Sequence, residues 1–94
     1  MSQRTAPALA KLDELLASID TLPRTADLER LTEELQALRR AIAAFHMEGI
    51  RFRMFSVDRD LKASGETSEP RRLYEELRQT LEESGFHTRS HTAP

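Results

Sequence analysis

The fold is decided by residues 26–62, which read ADLERLTEELQALRRAIAAFHMEGIRFRMFSVDRDLK. Apolar residues and one glycine alternate at spacings of three and four positions, through Leu28, Leu31, Leu35, Leu38, Ile42, Phe45, Gly49 and Phe52. This spacing is typical of the seam of a left-handed coiled coil. No proline interrupts the stretch, and an isolated glycine costs a helix only about 1 kcal/mol. The pattern therefore predicts one long central helix over residues 26–62, about 55 Å in length at 1.5 Å per residue.

A second apolar line begins in the later half of this stretch and contains Met47, Ile50, Met54, Val57 and Leu61. At about 100° per residue, this line lies more than about 100° around the helix from Phe52 and Phe55. The later half of the central helix is thus apolar on two sides, and one neighbouring helix cannot cover both.

A shorter helix is predicted before the central one, over about residues 6–22. Its apolar stripe consists of Leu9, Leu12, Leu15, Leu16, Ile19 and Leu22, and Pro7 falls in its first turn, where a missing N–H costs nothing. Pro23 ends this helix because the residue before a proline is pushed out of the helical region. Thr25 then offers a side-chain cap to the next helix. A link this short predicts an antiparallel helical hairpin.

A third helix is predicted over about residues 69–84, with Pro70 in its first turn. Its apolar stripe consists of Leu73, Tyr74, Leu77 and Leu81. Gly85 followed by Phe86 is the order of a Schellman cap. We expect a single helical domain over residues 1–86. Residues 87–94, which lack apolar periodicity, are expected to form a flexible C-terminal tail.

Composition excludes several classes of protein. Of the 94 residues, 38% are hydrophobic, 32% are charged and none is cysteine, which excludes disulfides, zinc–thiolate sites and thiol catalysis. No run approaches the roughly 18 apolar residues that a membrane-spanning helix requires. The first residues also lack the uninterrupted apolar stretch of a signal peptide. We therefore expect a cytoplasmic protein without a membrane partner.

The helix lengths predict self-association. Each outer helix is about 25 Å long, roughly half the length of the central helix. The first is expected on the early seam and the third, folded back, on the line from Met47 to Leu61. Phe45, Phe52 and Phe55 would then have no intramolecular partner, so a second copy crossing there would complete a dimeric helical bundle or coiled coil. The alternatives are a different helical protein as partner, or a compact monomer with a broken central helix.

The charge is unevenly distributed. The net charge is −2, yet residues 39–62 carry six basic residues, namely Arg39, Arg40, Arg51, Arg53, Arg59 and Lys62. These cations could meet nucleic-acid phosphates, an acidic partner or, most simply, the protein's own acidic helices. An isoelectric point near 5.9 is far from the basic footprint of a nucleic-acid-binding domain. The predicted interaction surface comprises Phe45, Gly49, Phe52 and Phe55 together with Arg51, Arg53 and Arg59.

Candidate chemistry is sparse. His46 lies between the two apolar lines, and His87 and His91 lie in the predicted tail. Histidine binds metals readily, but His46 is more simply a residue of the core edge or dimer seam, and an unstructured pair is a weak metal site. The sequence contains no glycine-rich phosphate loop and no nucleophile motif. We therefore assign no catalytic, cofactor-binding or metal-binding residues and do not expect an enzyme.

The sequence thus predicts an all-α protein: an antiparallel helical hairpin with a long central helix and a third helix folded back, assembled as a homodimer. Its predicted function is a non-enzymatic protein–protein interaction module, an adaptor or regulator. One alternative is a regulator that contacts the nucleic-acid backbone through residues 39–62. The other is a helical bundle that binds a small ligand or a metal through His46.

Overall fold

Most of the described chain is helical. The computed structural model describes residues 4–65 and 69–86, and within these ranges it contains four helices and no strand. The helices are α1 (Ala6–Asp20), α2 (Ala26–Ala43), α3 (Met47–Ser64) and α4 (Glu69–Glu83). The prediction of an all-α helical bundle is confirmed. The predicted tail, residues 87–94, lies outside the described residues.

Two helix ends are closed as the sequence predicts. The Oγ1 atom of Thr25 accepts a hydrogen bond of 3.1 Å from the Leu28 N–H at the start of α2. After α4, the Phe86 N–H donates to the carbonyl of Leu81 at 2.9 Å. Gly85 between them has a φ of 98°, a conformation that glycine adopts without a steric penalty. The Thr25 cap and the Schellman cap are therefore both confirmed.

The predicted continuous helix over residues 26–62 is wrong, because the chain turns between α2 and α3. Phe45 follows α2 with a φ of 59°, in the left-handed region. The Phe45 N–H donates to the Ile42 carbonyl, and the His46 N–H donates to the Ala41 carbonyl, each at 3.0 Å. These two bonds form a Schellman arrangement that satisfies the last carbonyls of α2.

The turn also starts α3. The Nδ1 atom of His46 accepts a hydrogen bond of 3.0 Å from the Gly49 N–H, so the imidazole is the N-cap of α3. A cap of this kind satisfies one of the N–H groups that a helix start leaves without a partner. The chain therefore reverses between two helices with neither a proline nor a glycine at the turn itself.

Reversal of the chain brings the two apolar lines into one core. Buried residues from all four helices form a single cluster: Ala8, Leu12, Leu15, Ile19, Leu28, Leu31, Leu35, Leu38, Ile42, Ile50, Met54, Val57, Leu61, Leu73, Tyr74, Leu77, Leu81 and Phe86. A straight helix of about 55 Å would exceed the longest dimension of the molecule, which is 34 Å. Because burial contributes about 25 cal/mol per Å² of apolar surface, the turn is favoured over a straight helix that leaves one line uncovered.

The four helices pack in an order that differs in part from the prediction. α1 packs beside α2, as predicted, but α3 makes its most extensive contact with α2, and α4 packs chiefly along α1. The predicted packing of the last helix along the Met47–Leu61 line is therefore wrong, because α2 takes that place. α4 contacts α3 through Tyr74, whose hydroxyl donates to the Met54 carbonyl at 3.1 Å. Burial raises the pKa of Tyr74 above its ordinary value, so this donor stays protonated well into the alkaline range.

Candidate interaction surface

The outer face of α3 exposes two aromatic side chains. Phe52 and Phe55 are 55% and 51% exposed and lie one turn apart. The buried line of α3, which includes Met54 and Val57, lies on the opposite side of the helix. We define the outer face of α3 by its exposed residues Glu48, Phe52, Phe55, Arg59 and Lys62. Adjacent exposed aromatic side chains are typical of association surfaces.

Phe45 lies apart from this face, at the turn between α2 and α3. Its ring centroid is 5.6 Å from that of Phe86, and the Arg4 guanidinium lies over both rings, at 5.6 and 5.4 Å from their centroids. The Nε atom of Arg4 also donates to the Ser84 carbonyl at 3.1 Å. The prediction that Phe45 has no intramolecular partner is therefore wrong, although 40% of the residue stays exposed.

Gly49 allows close packing between α2 and α3. A Cβ atom at this position would lie 3.3 Å from the Ala41 Cβ and 2.6 Å from the Nδ1 of His46. Only a residue without a side chain leaves the capping imidazole in place at this distance. Gly49 thus faces its own hairpin, whereas Phe52 and Phe55 face outward.

The basic residues of positions 39–62 are largely paired with acids of the same chain. Within the described residues, all six except Arg40 form an ion pair: Arg39 with Asp13 (2.9 Å), Arg51 with Glu48 (4.0 Å), Arg53 with Glu34 (3.1 Å), Arg59 with Asp60 (3.4 Å) and Lys62 with Asp58 (3.3 Å). Arg53 pairs with Glu34 of α2, and its guanidinium also lies over the Phe52 ring, 5.3 Å from the ring centroid. The prediction that Phe52 has no intramolecular partner is therefore wrong as well, although the ring stays half-exposed. The arrangement favours the simplest interpretation of this segment, in which the cations neutralise the protein's own acids.

Two of these acidic partners, Asp13 and Asp58, have pKa values that their ion pairs lower. Hydrogen bonds from Arg39 lower the pKa of Asp13 below its ordinary value. At Asp58, burial raises the pKa, but hydrogen bonds from Arg71 and Lys62 outweigh it, so the net pKa is lowered. Both groups are thus held in the ionised form that their ion pairs require.

His46 has a structural role as the N-cap of α3. Its Nδ1 is occupied as an acceptor by the Gly49 N–H, and the residue is exposed. Among the described residues, no group of three or more histidine, aspartate or glutamate side chains is placed to hold a metal ion. The other two candidate ligands, His87 and His91, lie outside the described residues.

A buried carboxylate was not predicted from the sequence. The Asp60 side chain is only 6% exposed, and within the described structure its Oδ2 atom has no hydrogen-bond partner. Asp60 follows the buried Ser56 by four residues on α3. The signal in the sequence is therefore a polar pair at helical spacing that directly adjoins the line of Val57 and Leu61.

In residues 4–65 and 69–86, every helix is too short or too polar to cross a bilayer. Comparison of the chain with protein-family models, with curated proteins and with solved structures finds no match.

Proposed function

We propose that the protein is a small non-enzymatic protein–protein interaction module that acts as a homodimer through the outer face of α3. The observation that supports this proposal is the pair of half-exposed phenylalanines, Phe52 and Phe55, on a helix whose other side is fully buried. Aromatic side chains contribute large apolar areas to interfaces. The absence of cysteine suits a reducing compartment, and we propose the cytoplasm.

The other two functions have less support. Phosphate contacts need cations that are free to neutralise a nucleic-acid backbone, whereas five of the six basic residues in positions 39–62 already have acidic partners. A metal or small-ligand site would use His46, whose Nδ1 already accepts a hydrogen bond as a helix cap.

The test is the solution mass measured by light scattering over a range of protein concentrations. We expect the wild-type protein to approach twice 10.8 kDa as its concentration rises, and Phe52→Glu to remain monomeric, because a charge at this position must be desolvated on association. Gln36→Glu is the matched control, since it adds the same charge at an exposed position of α2. Circular dichroism checks that each variant is folded.

A wild-type protein that stays monomeric at every concentration would contradict the homodimer. A dimer that Phe52→Glu leaves intact while the variant remains folded would place the self-association surface elsewhere.

A further inference from the structure

The outer face of α3 has a self-complementary order of side chains. Glu48, Phe52, Phe55 and Arg59 follow one another at spacings of four, three and four residues, so they form one line along the helix. An acid begins the line, a base ends it, and two aromatic residues lie between them. The midpoint between Phe52 and Phe55 is also the midpoint between Glu48 and Arg59.

We infer that two copies of the chain associate through this line with their α3 helices antiparallel, about a two-fold axis that passes between Phe52 and Phe55. This inference rests on the proposed homodimer and specifies its geometry. In this arrangement Phe52 of each copy faces Phe55 of the other, and Glu48 of each copy faces Arg59 of the other. Every contact then occurs twice, as an isologous interface requires.

The charges select the antiparallel orientation. A parallel pair would place Glu48 against Glu48 and Arg59 against Arg59, and juxtaposed like charges are strongly disfavoured at interfaces. The antiparallel pair replaces both repulsions with attractions. It also matches the spacing of an antiparallel coiled coil, in which successive seam positions alternate at three and four residues.

Both charged side chains are available for such contacts. The Glu48 side chain is 84% exposed, and its nearest cation, Arg51, is 4.0 Å away. The Arg59 side chain is 60% exposed and lies 3.4 Å from Asp60. The Glu48–Arg51 pair is exposed and contributes at most about 1 kcal/mol, so an interface that excludes water can compete with it. Asp60 is buried, but Arg59 meets it through Nε alone, and the other N–H donors of the guanidinium can contact a second carboxylate.

The contact area favours a reversible dimer. A single helix face is smaller than the roughly 800 Å² per partner of a stable interface. Association should therefore depend on protein concentration, and a covalent trap is the most direct way to record its geometry.

Disulfide trapping tests the orientation, because the natural chain contains no cysteine. Glu48→Cys and Arg59→Cys are prepared separately, one of them isotopically labelled, and are oxidised mildly both alone and as a mixture. In the antiparallel pair, position 48 of one copy faces position 59 of the other. Equivalent positions lie about 16 Å apart along the axis at 1.5 Å per residue, beyond the separation of about 7 Å that a disulfide can bridge. We expect the mixture to yield the mixed dimer several-fold faster than either variant alone.

Gln36→Cys mixed with Arg59→Cys measures the background from random collision, since position 36 lies on the exposed side of α2. Faster cross-linking of each single variant with itself than in the mixture would overturn the antiparallel orientation. Cross-linking at the background rate in all samples would also overturn it. If Phe52→Glu still dissociates a wild-type dimer in that case, the proposed function stands and only the geometry fails. If the wild type is monomeric, both fail.

Charge reversal provides a second, non-covalent measurement. Glu48→Arg and Arg59→Glu should each raise the Kd of the dimer by roughly tenfold, because each creates two like-charge contacts across the axis. The double variant, which carries both reversals, should recover most of the wild-type affinity. A double variant as weak as the single variants, while folded, would contradict the pairing of Glu48 with Arg59.

Discussion

Phe45 occupies a backbone conformation that its residue type disfavours. At a φ of 59°, the Cβ atom of an ordinary residue crowds the following carbonyl oxygen, which costs roughly 1–2 kcal/mol. Two kinds of contact offset this cost. The backbone is fixed by the hydrogen bonds that end α2, and the ring packs beside Phe86 under the Arg4 guanidinium. The turn at Phe45 therefore depends on contacts made by residues near both ends of the described chain.

Substitutions at position 45 can isolate this backbone cost. We expect Phe45→Gly to be more stable than Phe45→Ala by about 1 kcal/mol, because glycine adopts the left-handed conformation without a Cβ penalty. Both variants lack the ring, so its lost contacts cancel from the comparison. The free energies of unfolding are measured by chemical denaturation.

Gln36→Gly and Gln36→Ala are the matched pair, in an exposed position within α2. There the order should reverse, since alanine is favoured over glycine by about 1 kcal/mol inside a helix. Alanine more stable than glycine at both positions would contradict the left-handed conformation of residue 45.

Among the described residues, an ion pair joins each pair of neighbouring helices. Asp13 and Arg39 join α1 to α2, Glu34 and Arg53 join α2 to α3, Asp58 and Arg71 join α3 to α4, and Lys11 and Glu76 join α1 to α4. The α3–α4 pair is the shortest of these at 2.7 Å and has both side chains less than one third exposed. It also lies where the helix contact is least extensive. The ion pairs therefore help to set the register of helices that share an otherwise uniform leucine-rich core.

The pH dependence of stability should reveal the α3–α4 pair. Because the folded-state pKa of Asp58 is lowered, the folded state binds fewer protons at this site than the unfolded state. The resulting stabilisation is fully present above the ordinary carboxyl pKa of about 4 and is lost as the pH falls through the folded-state value. We expect Asp58→Asn to cost about 1 kcal/mol at pH 7 and progressively less below pH 4.

The measurement is the free energy of unfolding of both proteins between pH 7 and pH 3. Asp20→Asn is the control, because the Asp20 side chain is 75% exposed and its ion pair in the described structure is with the exposed Arg24. It should change stability little at any pH. A constant cost for Asp58→Asn across this range would contradict an electrostatic role.

The helix ends show what the sequence could predict. Thr25 and Gly85 carry their signals in the residue type itself, since a hydroxyl caps a helix start and a glycine closes a helix end. The turn at Phe45 has no such signal, because a phenylalanine takes the place that glycine usually fills. The sequence indicates this turn only indirectly. The apolar residues up to Ile42 and those from Ile50 onward lie on different sides of a straight helix, so one neighbouring helix could not bury both sets.

The candidate surface was predictable only in part. Phe52 and Phe55 could be placed outward because they lie opposite the Met54 line on the same helix. The partner of Arg53 could not be predicted, since Glu34 reaches it only after α3 folds back on α2. For the same reason, the approach of Gly49 to Ala41 inside the hairpin could not be predicted.

The whole molecule combines neighbouring and distant helix pairs. α2 and α3 are joined by a short turn and make the most extensive contact, whereas α1 and α4 pack together from opposite ends of the described chain. Lys11 and Glu76, which bridge the distant pair, are 65 positions apart. Because α4 packs chiefly on α1, loss of α1 leaves α4 with little support, whereas α1 also packs on α2.

This arrangement has a consequence for how the protein opens. Closing a long chain segment costs more conformational entropy than closing a short turn, and regions with separate contacts open as separate cooperative units. In native-state hydrogen exchange, we expect the amides of α1 and α4 to exchange together, through an opening that costs less free energy than the one that exposes α2 and α3. Protection measured residue by residue by NMR would show two levels. Equal protection in all four helices would mean that the bundle opens only as a whole.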